Sequence, residues 1–245
     1  MGATSKDVSS AFDSMSKNIS SFSKSADAAN KSTAKTIITL QQFDVSAERS
    51  AKAMNFFEKG MSMSSDAARK LTVQMASMGT ESDITMTQMM DNFDQAKDRI
   101  SMFGSSSTRV LRDLSIQAKA SGMSVSSLLG VSKKFDTFSE AAEAVSQLNA
   151  VLGTNLSSMQ MLEMDDAQRI EMLRKEVKAR VGNFQALDKH TKMYIQNALG
   201  VQSVAEAQKL IDMNPQQYAA YNSALAESAL TQEQLAEQAQ KLVPL

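Results

Sequence analysis

The sequence predicts an all-α protein in which a long N-terminal coiled-coil helix precedes a compact multi-helix region. Three observations carry that expectation. Helix breakers are scarce: 245 residues hold 2 Pro and 9 Gly, and the Ala, Ser, Met, Gln, Lys and Glu between them suit helices. Strand formers are equally scarce, with 5% aromatic residues and no Trp, where sheets draw on β-branched and aromatic side chains. Finally, apolar residues recur at helical spacing from the first helix onward.

The longest run of that spacing fixes the first expected segment. Steps of four and three from Val8 land on Phe12, Met15, Ile19, Phe22, Ala26, Ala29, Thr33, Thr36, Leu40, Phe43, Ala47, Ser50, Met54, Phe57 and Met61. Extended past Gly60, the register continues through Ser64, Ala68, Leu71, Met75 and Met78. Mostly Ser, Lys, Asp, Asn and Gln lie between these positions, so the apolar stripe is narrow. A narrow stripe at a 3.5-residue period needs a partner helix and drives supercoiling. Residues 1–78 are therefore expected to form an extended coiled-coil segment with a weak middle at Ala26–Thr36. Its self-association seam comprises Val8, Phe12, Met15, Ile19, Phe22, Leu40, Phe43, Met54, Phe57 and Met61. A homo-oligomer through this seam follows, a trimer for preference, although Phe, Ala and Met at core positions obey none of the dimer or trimer rules.

Residues 79–245 read as shorter helices with recognisable ends. Ser64-Ser65-Asp66 caps a helix that Gly79 stops, and helices are predicted over 84–103, 107–121, 125–135 and 138–152. Further helices are predicted over 166–181, 189–199, 204–212 and 215–229, with a last one from Thr231 towards Leu242. Ser124, Asp188 and Thr231 stand where N-caps belong, and Thr137 with Glu140, Asp165 with Gln168 and Ser203 with Glu206 have capping-box spacing. Gly122, Gly153, Gly182 and Gly200 each follow a predicted helix, and Pro215 opens one.

Charge and chemistry narrow the function. Formal net charge is -1 and there is no Cys, which gives no electrostatic footprint for nucleic acid and no disulfide or thiolate chemistry. No apolar run reaches bilayer length, and Met1–Asp7 lacks the apolar core of a secretory signal. The methionines at 75, 78, 86, 89 and 90 continue apolar stripes and are expected in the core. His190, the single histidine, has no second His or Cys to share a metal with. Asp165 and Asp166 resemble a carboxylate pair, but their place at a helix start explains them as caps. No nucleophile elbow, phosphate loop, dinucleotide fingerprint or zincin motif occurs. A structural, non-enzymatic chain is expected, with no catalytic residue, cofactor or metal.

A resemblance enters at Arg112–Ser124, Leu128–Phe138 and Glu140–Gly153. The Phe135-Asp136-Thr137-Phe138 turn leads into a helix ending Leu148-Asn149-Ala150-Val151-Leu152-Gly153, and this stretch resembles the helical region of bacteriophage tail tape-measure proteins. The likeness continues through Asp166–Gly182 and Gln196–Gly200, covering roughly 105–240. It implies a virion protein of the phage tail interior, assembled in the host cytoplasm and lying in the tail tube lumen. There it would contact tube and baseplate hub proteins and serve tail assembly, tail length and genome delivery. No specific nucleic acid partner is implied, and host-membrane contact would arise only during infection. Members of the family are usually much longer. The other class the residues admit is a helical coiled-coil adaptor or secreted translocator of a bacterial secretion system.

Overall fold

The computed structural model describes residues 4–23, 27–80 and 83–225. Among the described residues are thirteen α-helices and short 3-10 turns, with no strand. The fold separates into two compact units with boundaries between Asp94 and Gln95, inside α5, and between Ser223 and Ala224, the first unit taking both ends of the chain. The first unit holds α1 (Ser5–Asn18), α2 (Asp27–Gln41), α3 (Ala47–Gly60), α4 (Ser65–Ser77) and the start of α5 (Met86–Ile100).

The long N-terminal coiled-coil helix is not formed. The stretch expected to be one rod is divided into α1, α2, α3 and α4, of 14, 15, 14 and 13 residues. Here α1 packs on α2 and α3, α2 on α3 and α4, and α3 on α4. Two of the breaks are written in the backbone. Asp44 has φ 62° between α2 and α3, and Ser62 has φ 54° between α3 and α4; no right-handed helix passes through such a residue. Each break is followed by a serine cap, Ser46 accepting from Arg49 N at 3.2 Å and Ser64 from Ala67 N at 3.3 Å. The backbone N–H of Ser20, past the end of α1, donates to Asn55 Oδ1 of α3 at 2.9 Å and ties the two helices together.

The apolar register survives while its partner changes. Met15, Ile19 and Met54 are buried in one cluster with Ala11, Ala34, Ile37, Ala47 and Ala51, and Phe12 and Phe22 pack against it. Leu40 and Phe57 are also buried, Phe43 and Met61 are half-buried, and Val8 is exposed. The methionines at 75, 78, 86, 89 and 90 are all buried. A 3.5-residue period specifies an apolar face that must be covered, and it does not specify by what. Short turns place the chain's own helices beside the seam at a small loop-closure cost, so the covering helix comes from the same chain. Ala26 lies outside the described residues.

The second unit, Gln95–Ser223, follows the predicted helices closely. It comprises the end of α5, a 3-10 segment Ser101–Ser106, α6 (Ser107–Ser121), α7 (Val125–Lys133), α8 (Phe138–Leu152), α9 (Ser158–Glu163) and α10 (Asp166–Val181). A 3-10 turn Phe184–Ala186, α11 (Lys189–Leu199), α12 (Val204–Ile211) and α13 (Pro215–Leu225) as far as Ser223 complete it. At the centre is α10, which packs on α6, α7, α8 and α12, while α11 packs on α8 and α12. Ile170, Leu173 and Val177 are fully buried along it. Neighbours on several sides leave α10 no single solvent face, and Asp166, Arg169 and Arg174 are buried as well. The helix predicted from Thr231 lies outside the described residues.

Gly200 shows why one helix end needs glycine. Its φ is 74°, and a Cβ there would stand 2.7 Å from Cε of Lys134, whose ammonium donates to Asn197 O at 2.6 Å. A positive φ and a lysine reaching over the same backbone both exclude a side chain.

Candidate functional site

The densest polar construction in the second unit surrounds the turn between α7 and α8, where the Phe135–Phe138 motif lies. Phe135 is fully buried. Thr137 is the N-cap of α8, its hydroxyl accepting from Glu140 N at 3.3 Å and donating to the Glu140 carboxylate at 2.8 Å. Phe138, the first residue of α8, is 60% exposed. Between them, Asp136 turns inward to two arginines from distant helices.

Arg99, near the end of α5, grips two carboxylates at once. Its Nε and Nη2 donate to Asp166 Oδ2 and Oδ1 at 2.9 and 2.7 Å, and its Nη1 donates to Asp136 Oδ2 at 2.7 Å. A further bond runs from Nη2 to Asp136 Oδ1. Arg169, one turn into α10, donates from Nη1 to Asp136 Oδ1 at 2.8 Å and from Nε to Met161 O at 2.7 Å. Ser132 Oγ of α7 donates to Asp166 Oδ1. One cluster thus joins the end of α5, α7, the α7–α8 turn, α9 and α10. The planar, five-donor guanidinium suits this bridging role.

The electrostatics agree with the geometry. Burial raises the Asp136 carboxyl, but hydrogen bonds and charge from Arg99 and Arg169 outweigh it and hold the group below the usual carboxylate range. Arg99 is pushed further up by its hydrogen bonds to Asp166 and Asp136. The Asp166 side chain has no solvent exposure, and Arg99, Ser132 and the positive end of α10 meet its oxygens. Asp165 is the N-cap of α10 in a full capping box with Gln168, at 3.0 and 3.1 Å, and accepts from Arg109 Nη2 at 2.8 Å. These carboxylates are held by arginines, hydroxyls and amides, an arrangement that clamps helices together.

The remaining motif positions also shape the backbone. Leu148 is fully buried and Leu152 half-buried. Asn149 organises the exit from α8: its Oδ1 accepts from Leu156 N at 3.0 Å and Thr154 Oγ1 at 2.6 Å, and its Nδ2 donates to Leu156 O at 2.9 Å. Gly153 adopts the left-handed conformation, φ 66°, that ends α8. The motif thus gathers around both ends of α8, whereas the seam residues belong to the first unit.

His190 is exposed on α11, and its backbone N–H donates to the Asp188 cap at 2.8 Å. Among the described residues no group of His, Asp or Glu is placed to hold a metal ion, and no helix is long and apolar enough to cross a membrane.

The sequence reading missed Arg99, Ser132 and Arg169, and gave Asp166 only a helix-end role. Arg99 lies 37 residues from Asp136 and 67 from Asp166, and no local pattern marks such pairs. The usable signal was an arginine at Arg169, one turn into a helix whose neighbours at Ile170 and Leu173 are apolar.

No family model, curated protein or solved structure matches this chain. The likeness to tail proteins therefore rests on the residues quoted above.

Proposed function

We propose that this chain is a structural component of a phage tail, a tape-measure protein. In this reading it lies in the tail tube lumen and contacts hub and baseplate proteins, serving tail assembly, tail length and genome delivery. The observation that carries the reading is the stretch Arg112–Gly153. Its motif positions include a core aromatic at Phe135, an arginine-clamped carboxylate at Asp136, a helix cap at Thr137 and a left-handed helix stop at Gly153. These positions set the local fold, while Phe138 and Val151 of the same stretch are exposed. The chain does this work as packed helical units, so tail length is not measured by an unbroken helix through residues 1–78.

The test is localisation in an assembled particle. A tag on this chain, imaged by cryo-electron microscopy, is expected inside the tail tube or at its hub end. Deletion of its gene is expected to leave particles without tails or with tails of altered length. Purified virions that lack the chain, or a gene embedded among secretion-apparatus genes, would overturn the proposal in favour of a secretion adaptor.

A further inference from the structure

Sulfur in this chain comes only from methionine. There are 18 Met, no Cys and no Trp, so oxidation by a peroxide falls on thioethers. The fold sorts these thioethers sharply. Met15, Met54, Met89 and Met90 are at most 1% exposed, and most of the others are buried with them. Among the described residues three stand in water: Met102 at 73% exposure, Met159 at 57% and Met193 at 45%. All three belong to the second unit, whereas every described methionine of the first unit is buried or half-buried.

Local structure sets each exposure. Met102 lies in the 3-10 segment Ser101–Ser106, which Gly104 turns with φ 52°. The segment is anchored at its two flanks, where Ile100 and Ser107 are buried and Ser107 Oγ donates to Ile100 O at 2.8 Å. Met102 is on the span between those anchors. On α9, Met159 and Met161 stand about 200° apart around the helix. Met161 is 1% exposed, and its carbonyl accepts from Arg169 Nε at 2.7 Å. One short helix therefore carries a thioether in water and another in the core, the second fastened to the arginine cluster. On α11, Met193 is exposed while Ile195, the same distance along, is buried.

We propose that Met102, Met159 and Met193 are the peroxide-reactive sites of this chain, oxidised to sulfoxides while both cores stay folded. A sulfur lone pair attacks one oxygen of hydrogen peroxide, and the S–O bond forms as the O–O bond breaks. The departing hydroxide takes the proton from the transferred oxygen and leaves as water, so sulfur is oxidised and the peroxide reduced. Charge separates along this path, which runs fastest where water solvates it. The product is polar and reducible back to the thioether. At the three exposed sites its oxygen meets water. At Met161 it would be a polar group in the core without a hydrogen bond, beside the carbonyl that Arg169 holds.

Peptide mapping by mass spectrometry, after timed exposure of the full chain to hydrogen peroxide, tests the assignment. The three exposed methionines are expected to oxidise at least about tenfold faster than Met161, Met89 and Met90. The far-ultraviolet helical signal should be unchanged once these three sites are oxidised. In concentrated urea the rate difference should disappear, because the fold creates it. Met102→Leu, Met159→Leu and Met193→Leu combined should leave the urea midpoint of the second unit where it was, as side chains in water require. Met161 oxidised as fast as Met159 in the folded chain would overturn the proposal. So would a rate difference that survives in urea, a helical signal that falls as the three sites react, or a lowered midpoint in the triple variant.

Discussion

Asp166 is the fully buried carboxylate of the second unit's arginine cluster. Its carboxylate is shut from solvent and bonded to Arg99 and Ser132; without it Arg99 keeps only Asp136 and the Ser132 hydroxyl loses its carboxylate acceptor. Asp166→Ala should therefore destabilise the second unit by about 1–3 kcal/mol, read as a fall in its urea midpoint. Asp136 supplies the pH dependence. Its folded-state pKa lies below the ordinary value, so its contribution is present above about pH 4, the unperturbed Asp value, and is lost as pH falls through the lowered value. Acid titration of Asp136→Asn should begin from lower stability and show a shallower loss below about pH 4. An unchanged acid profile would mean that Asp136 is not held by the arginines. None of this was legible in sequence beyond the capping role of Asp165, because helix caps are local and guanidinium clamps join residues dozens of positions apart.

Helices and their ends were far more legible. Ser64, Ser124, Thr137, Asp165, Asp188 and Ser203 all cap the helices they were expected to open, because a cap is a contact between a side chain and an amide two or three residues on. The short helix α9 was missed, since six residues are too few for a periodic signal. The N-terminal rod failed for another reason. Asp44 and Ser62 carry the positive φ values that end helices, yet neither is Gly, and the heptad register runs through both turns. Ser62 offers a test whose sign discriminates. In a turn with φ 54°, Ser62→Gly relieves left-handed strain of about 1–2 kcal/mol, offset in part by glycine's greater unfolded-state entropy. It should raise the urea midpoint of the first unit. Inside a continuous helix the same change would lower stability by up to about 1 kcal/mol.

Taken whole, the chain builds two separate cores from one apolar pattern, the first around Met15, Ile37 and Met54 and the second around α10. Replacing Phe12, Ile19 and Phe22 together with Ser strips buried surface from the first alone. Calorimetry of that variant should show loss of the first unit with the helices of residues 95–223 still melting as a cooperative unit; a single joint loss would contradict separate cores. The decisive measurement is a distance within the first unit. Because the chain has no Cys, Ser20→Cys and Lys59→Cys accept one spin label each, near the Ser20–Asn55 contact of 2.9 Å. A continuous helix would separate the two positions by roughly 58 Å at ~1.5 Å per residue. Packed α1 and α3, with axes about 8–10 Å apart, should give a narrow electron–electron distance distribution well below roughly 30 Å once label length is included. A maximum near the longer distance would restore the rod and refute the folded-back core.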